Sequence, residues 1–285
     1  PLAEIDGLTL HGRPLGLLNQ HLRPNARLLI LSEDGDTPKQ VARALKDSGY
    51  GDSLITVFEH MGGAREKRHD GIAKTWRRKV RDLNTIAVTC RAGPAAPRLM
   101  RLAGPPDDLF QHDGQLTKRD VRAVTLAALA PAPGEILWDV GAGAGSIAIE
   151  FLRAEPTARA IAIERNTVRA ANIRANGQQL GARNLQIVEG AAPAALKGLT
   201  KPDVVFVGGG VSDAKILQAC WHALPSSGRL VANAVSAEAE AGLFQFMKRH
   251  GGDMTRIAIS HMDAMGDLHA WRAARPVTQY RGRQP

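Results

Sequence analysis

The stretch Trp138-Asp139-Val140-Gly141-Ala142-Gly143-Ala144-Gly145-Ser146 limits what this chain can fold into more than any other part of it. An apolar run ends in an acid and passes at once into three alternating glycines and a helix-forming segment. Glycine in such a turn lets the backbone reverse sharply and lets a ligand come close, because no Cβ stands in the way. Strand, glycine turn and helix in that order open a doubly wound α/β sheet. The flanking residues keep the alternation. The pattern predicts a helix over residues 118–129, a strand over 136–140, the glycine turn at 141–145 and a helix from 146 to about 153. Strands follow at 160–163, 185–188, 204–207, 229–232 and 255–260. Helices lie after Asn166, ending near Gly181, and at 213–223 and 237–249. The expected fold class is α/β, with a Rossmann-like, doubly wound and mostly parallel sheet.

A smaller α/β half-domain is expected ahead of that sheet. Short β-branched or aliphatic runs at 28–31, 55–58 and 85–89 read as strands. Asp36-Thr37-Pro38 starts a helix, with Asp36 or Thr37 as N-cap, and Ser48-Gly49 stops it. Gly62-Gly63 breaks the chain before a basic stretch that reads as helix-prone. Ala103-Gly104-Pro105-Pro106-Asp107-Asp108 has the composition of a linker. The domains expected are therefore residues 1–103, a linker over 104–114, and residues 115–285.

With 285 residues, 44% of them hydrophobic, the chain can bury two cores. No apolar run approaches the roughly 20 residues of a membrane span. The N-terminus has no basic and apolar leader pattern and no initiator Met, which reads as a cytoplasmic chain that is processed or is a fragment. Cys90 and Cys220 lie far apart and read as reduced thiols, and the nine histidines show no metal-ligand spacing, so no metal is expected. The net charge of +9 is concentrated in Arg65, Lys67, Arg68, Lys74, Arg77, Arg78, Lys79 and Arg81, with only Glu66 and Asp70 against them. Such a cluster is either a solvated helix face or a place for an anionic partner.

The glycine spacing carries the chemistry. A dinucleotide enzyme shows G-x-G-x-x-G with a pyrophosphate on the helix N-terminus. Here the third glycine comes one residue early, and Asp139 precedes the first by two. An acid beside the loop repels a pyrophosphate and suits a ligand with a cationic group, such as the ammonium of S-adenosylmethionine (SAM). The second strand ends in Glu164-Arg165-Asn166, where an acid can accept both ribose hydroxyls. The third ends in Glu189-Gly190-Ala191-Ala192, a loop that flanks an adenine in this fold. Ala191 stands where many SAM enzymes have an Asp, leaving backbone groups or Glu189 to serve. The fourth runs into Gly208-Gly209-Gly210, which leaves space for a substrate or is simply a turn.

At these residues the sequence resembles the decarboxylating precorrin-6Y methyltransferases, which methylate C-5 and C-15 of a corrin precursor and remove a carboxyl from the ring C acetate. The similarity spans residues 114–282. It rests on the segment from Asp113 to Arg122, Asp139 to Ser146, Ala162 to Asn166, Val188-Glu189-Gly190, Val207 to Gly210, Val231 to Val235, and Arg275-Pro276-Val277. The first segment looks like the second half of the tetrapyrrole methylase domain of that family, on Leu10 to Pro14, Asp34 to Pro38, Gly62 to Glu66 and Asp82-Leu83-Asn84. The half that precedes it in the family is not in this sequence, which puts C-5 methylation in question and leaves C-15 methylation with decarboxylation.

What the resemblance implies is a Rossmann-like SAM-dependent methyltransferase domain. Thr117, Gly141 to Gly145, Glu164 and the Glu189–Ala192 loop would contact SAM. Thr117 also reads as the N-cap of the helix over 118–129. The substrate would be an anionic precorrin, held by basic residues, in a homo-oligomer for which the resemblance suggests a tetramer. No nucleic acid or membrane partner is expected. Loss of the acetate carboxyl would leave an electron pair conjugated into the macrocycle, which attacks the SAM methyl. No residue stands out as an obligate acid or base. Arg122, His112 and Asn233 are candidates, and donors near Gly208–Gly210, Gly209 among them, or Asn233 would steady the departing carboxyl. Two other readings compete. An RNA methyltransferase suits the charge, but Gly208-Gly209-Gly210 replaces the polar-Pro-Pro-aromatic group that stacks a base. A non-catalytic SAM- or nucleotide-binding module is the other.

Overall fold

The structure, a computed structural model, describes residues 4–94, 96 and 103–285. Residues 1–3 of the N-terminus and residues 97–102, at the end of the expected first domain, lie outside them. The chain divides into two compact units, Pro1–Arg101 with Gln179–Gly181, and Leu102–Gln178 with Ala182–Pro285.

In the first unit the three expected strands are present as β2 (Arg27–Leu31), β3 (Leu54–Glu59) and β5 (Asn84–Thr89), joined by β1 (Ile5–Thr9) and β4 (Lys67–Ile72). They form a mixed sheet in the order β1-β2-β5-β3-β4, in which only β1 and β2 are parallel. Helix α1 (Thr37–Asp47) packs Val41, Ala42 and Leu45 into a core with Ile30, Val57 and Ile86. Its start is not held by the Asp36 side chain. Asp34 reaches over instead, its Oδ1 accepting from the Thr37 N–H and the Thr37 hydroxyl at 2.9 Å each. The basic stretch corrects the helical expectation: Lys67–Ile72 is an edge strand antiparallel to β3. Gly71 within it lies against the Trp76 ring, where a Cβ would come within 2.8 Å. Charged side chains on such an edge also discourage pairing with other chains.

The second unit is built on a seven-stranded sheet in the order β11-β14-β10-β9-β6-β7-β8. Its members are β6 (Ile136–Val140), β7 (Arg159–Glu164), β8 (Leu185–Glu189), β9 (Val204–Val207), β10 (Arg229–Ala234), β11 (Asp253–Ile257) and β14 (Val277–Arg283). Strands β6 to β10 are parallel, and β14 runs antiparallel between β10 and β11. Helices α2 (Arg119–Leu129), α3 (Ser146–Ala154), α4 (Thr167–Leu180), α5 (Ala214–Ala223) and α6 (Ala237–His250) cover the two faces. The period-two alternation of the strands sorts the core. Ile136, Trp138 and Val140 join Leu217, Trp221 and Leu243 from α5 and α6 on one face. Leu137 joins Leu126, Ile147 and Phe151 from α2 and α3 on the other.

Three departures from expectation stand out here. The last strand is Asp253–Ile257 rather than 255–260, and a separate hairpin follows, β12 (Ser260–Met265) and β13 (Leu268–Ala273). Thr117 does not cap α2. Lys118 occupies the N-cap without a side-chain bond, and the Thr117 carbonyl accepts from Arg122 Nη1 at 2.7 Å. The segment read as a linker is folded against α2 and α3. The Gly104 N–H donates to Glu150 Oε2 at 2.8 Å, and Arg119 Nε donates to the Gly104 carbonyl at 2.7 Å.

Arg122 ties this corner together. It is wholly buried, with Nε paired to Glu150, Nη1 shared between Asp107 and the Thr117 carbonyl, and Nη2 donating to the Pro105 carbonyl. Phe110 lies under the guanidinium at 4.9 Å. Arg122 is therefore occupied in holding the fold and is not free for chemistry. Removing one partner of a buried pair leaves the other charge uncompensated. Arg122→Met should lower the unfolding free energy by about 3–5 kcal/mol. Equilibrium denaturation would measure it, and a change under about 1 kcal/mol would mean the pair contributes as little as a surface one.

Candidate functional site

The strand order reverses at β6, whose two neighbours, β7 and β9, connect to opposite sides of the sheet. Open α/β sheets bind ligands outside the strand C-termini at such a point. Two glycine loops meet there. The Val140 carbonyl accepts from the Gly208 and Gly209 N–H groups at 3.0 and 3.3 Å. Gly141 follows with φ +71°, and a Cβ on it would lie 2.6 Å from Gly209 Cα. Only glycine fits. Gly145, at φ +75°, serves packing instead: a Cβ there would meet Ile173 Cγ2 at 2.7 Å.

A cavity of about 1630 Å³ opens over these loops. Its walls include Gln115 to Val121, Gly141, Ala142, Gly143, Glu164, Arg165, Gly190, Ala191, Ala192, Gly208, Gly209, Gly210 and Asn233. The structure thus brings together Thr117, Gly141, Ala142, Gly143, Glu164, Arg165, Gly190, Ala191, Ala192, Gly208, Gly209 and Asn233 from the residues picked out in the sequence. Ala144 and Gly145 lie beneath the loop rather than on the wall. Glu189 is exposed and faces Arg174 at 3.6 Å, away from the cavity. His112 does not line it either; its Nδ1 accepts from the Gly114 N–H at 3.0 Å.

Glu164 is almost wholly buried at the end of β7. Its Oε2 accepts from the Gly143 N–H at 2.9 Å and its Oε1 from the Asn166 N–H at 3.0 Å. A carboxylate has about four acceptor positions. Each oxygen therefore keeps a lone pair for a ligand hydroxyl while the same group orders the glycine loop.

Asp139 corrects an expectation. As the alternate residue of β6 it points to the α3 face, not into the cavity, and is buried. Its Oδ2 accepts from the Ala148 N–H at 3.1 Å, in the first turn of α3, where Gly145 at the N-cap has no side chain to offer. An acid there is favoured by the helix dipole. Its Oδ1 has no partner among the described residues. Burial pushes the Asp139 carboxyl up to about 7, partly offset by the Ala148 N–H and reinforced by the charge of Glu164.

The donors expected near Gly209 are also committed, since the Gly208 and Gly209 N–H groups bond to Val140. Asn233 sits on the wall but is fixed from behind. Its Nδ2 donates to Thr125 Oγ1 at 3.0 Å, and its Oδ1 accepts from Gln279 Nε2 at 3.0 Å. Sequence reasoning gave no place in the site to the far wall of Val235, Ile257, Ile259, His261, Arg272, Arg275 and Val277, although Val235, Arg275 and Val277 lie in segments that carry the resemblance. One signal was available, since Gly266-Asp267 between Met265 and Leu268 is a two-residue hairpin turn. Among the described residues no cluster of His, Cys, Asp or Glu could hold a metal, and no helix is long and apolar enough to cross a membrane. Cys90 and Cys220 are buried, free thiols.

A family model described as a precorrin methyltransferase domain matches residues 108–284. The chain belongs to that family. It is 47% identical, over 96% of its length and 66% of the relative's, to the decarboxylating precorrin-6Y C(5,15)-methyltransferase of a Sinorhizobium species. It is 33% identical, over 60% of its length and 91% of the relative's, to the decarboxylating cobalt-precorrin-6B C(15)-methyltransferase of Salmonella typhimurium. The crystal structure of the C-terminal domain of precorrin-6Y C5,15-methyltransferase from Rhodobacter capsulatus superposes with a TM-score of 0.62 at 42% identity, covering 65% of this chain and all of that one. The chain spans about 65% of the length of the precorrin-6Y relatives it matches.

The Asp139 carboxyl gives a test of the loop's electrostatics. Its value in the fold lies above the ordinary 3.8, so the neutral form is favoured there. The stability this contributes is full below the ordinary value and is lost as pH rises through about 7. Asp139→Asn keeps an acceptor for Ala148 and cannot ionise. Without ligand, the native protein should lose melting temperature relative to this variant between about pH 4 and about pH 7 and run parallel to it above that. Melting curves parallel over the lower range as well would show an Asp139 already ionised in the fold.

Proposed function

We propose that this chain is a SAM-dependent C-methyltransferase of cobalamin biosynthesis, methylating C-15 of a precorrin and removing the ring C acetate carboxyl. The observation that carries it is the cavity over the reversal point, with Glu164 and the Gly141–Gly143 loop on one side and an open glycine loop on the other. The C-15 assignment is supported by coverage. The relatives named for C-15 alone are matched over 78% and 91% of their length, those named for both positions over about 65%. The volume supports two ligands, since a single drug-sized ligand fills roughly 300–1,000 Å³.

The residues present fit SAM. Glu164 has free lone pairs for both ribose hydroxyls, and Gly141 and Gly143 leave the backbone bare beside it. Gly190, Ala191 and Ala192 flank the adenine, with backbone groups in place of an acidic side chain. SAM supplies an electrophilic methyl on a sulfonium sulfur. The protein's part is proximity and orientation of the macrocycle carbon towards that methyl. On the substrate side, Val235, Ile257 and Val277 make an apolar wall that keeps water from the acetate carboxylate and favours its loss as carbon dioxide. Asn233, held by Thr125 and Gln279, is the fixed polar group on that side.

Calorimetry tests the cofactor half of the reading. The native chain should bind one SAM per chain. Glu164→Ala removes the ribose acceptors and the tie to Gly143, and SAM affinity should fall at least about tenfold, at about 1.5–3 kcal/mol for a bond to a charged group. An unchanged dissociation constant in a folded variant would remove Glu164 from the site.

A further inference from the structure

The cavity is not uniform in charge. Its wall residues from Phe206 to Val277 include no Asp or Glu, but they include Arg272, Arg275 and His261. All three lie at the root of the β12–β13 hairpin or just beyond it. The register explains why they share an edge with the glycine loops. Strand β14 runs antiparallel to β10, pairing Ala234 with Thr278, and β11 pairs Ile257 with Val277. The start of β14 and the end of β11 therefore lie at the C-terminal edge of the parallel strands. In sheet order they are on the β10 side of the reversal point, away from Glu164 on β7.

The three cations are not equally engaged. His261 faces Asp120 at 3.9 Å, and Arg272 Nε donates to Asp263. Arg275 is exposed at the wall and has no ion pair or hydrogen bond among the described residues. Beside it lie the apolar side chains of Ile257, Ile259, Val235 and Val277. An apolar surface edged by an unpaired guanidinium suits a ligand with a hydrophobic face and carboxylates at its rim, because a guanidinium pairs with a carboxylate in a bidentate manner.

We propose that Arg275 is the specificity-determining clamp for the peripheral carboxylates of the tetrapyrrole, whose ring lies against the Ile257–Ile259 wall. This rests on the proposed function and assigns its anionic substrate to particular residues. The geometry separates the two ligands. Arg275 acts on the substrate alone, whereas Arg165, which follows Glu164, belongs to the cofactor side.

The test uses the full chain with two probes, SAM by calorimetry and the octacarboxylate uroporphyrin by fluorescence titration. Arg275→Ala should weaken uroporphyrin binding at least about tenfold, the size expected for one charge-assisted pair. Its SAM affinity should stay within about twofold, and Arg275→Lys should recover part of the loss, because it keeps the charge without the fork. Raising the salt concentration should narrow the difference between native and Arg275→Ala. Equal uroporphyrin affinity in the two proteins would overturn the proposal. So would a parallel fall in SAM affinity, or a native chain that binds SAM but not uroporphyrin. A native chain that binds uroporphyrin through Arg275 but not SAM would sink the methyltransferase reading and leave the clamp standing.

Discussion

Everything at the site depends on the close approach of two backbones. Val140 ends β6, and its carbonyl is bonded by the N–H groups of Gly208 and Gly209. Gly141 and Gly209 are then so near that Gly141 tolerates no side chain, while a Cβ on Gly209 would lie 3.3 Å from Gly141 Cα. This contact fixes the floor of the cavity where the sheet order reverses. From there the Ile163 carbonyl accepts from the Gly141 and Ala142 N–H groups at 2.9 and 3.1 Å, and Glu164 holds the Gly143 N–H. The loop is thus tied to the strands on either side before any ligand arrives. A preorganised site loses less freedom on binding, which is why such rigidity favours affinity.

The two buried acids beside this loop divide the work. Glu164 faces the cavity and keeps acceptor capacity for a ligand. Asp139, one strand over and on the same pleat but paired with Ala162, two residues short of Glu164, turns under α3 and substitutes for the cap that Gly145 cannot provide. Period-two alternation decides this, since Asp139 lies between Trp138 and Val140, which both face α5 and α6. An acid two residues before the first glycine therefore steadies the helix behind the loop and does not line the cavity.

The glycine-loop side of the cavity was legible from the sequence because it is local. Strands β6 and β9 fall where the apolar runs place them, and the glycine turn and Glu164 lie within one β-α-β unit. The far wall of the cavity was not legible, because distant segments assemble it. Val277 reaches the edge only through an antiparallel strand, and the hairpin that carries His261 and Arg272 mixes polar and apolar residues without clean alternation. The basic run before Arg81 misled for a related reason. Pairing of Lys67–Ile72 with β3 outweighs the helix propensity of Lys and Arg, and Gly71 must sit flat against Trp76. Arg122 could not be placed from the sequence either, since its partners Asp107 and Glu150 come from a turn and a different helix.

The most direct test of the account is the reaction itself. The full chain would be incubated with precorrin-6B and methyl-labelled SAM, and the tetrapyrrole examined by mass spectrometry. The account predicts a product that has gained one labelled methyl and lost one carboxyl as carbon dioxide. A chain that binds SAM yet leaves the tetrapyrrole mass unchanged, or that methylates without losing the carboxyl, would contradict it.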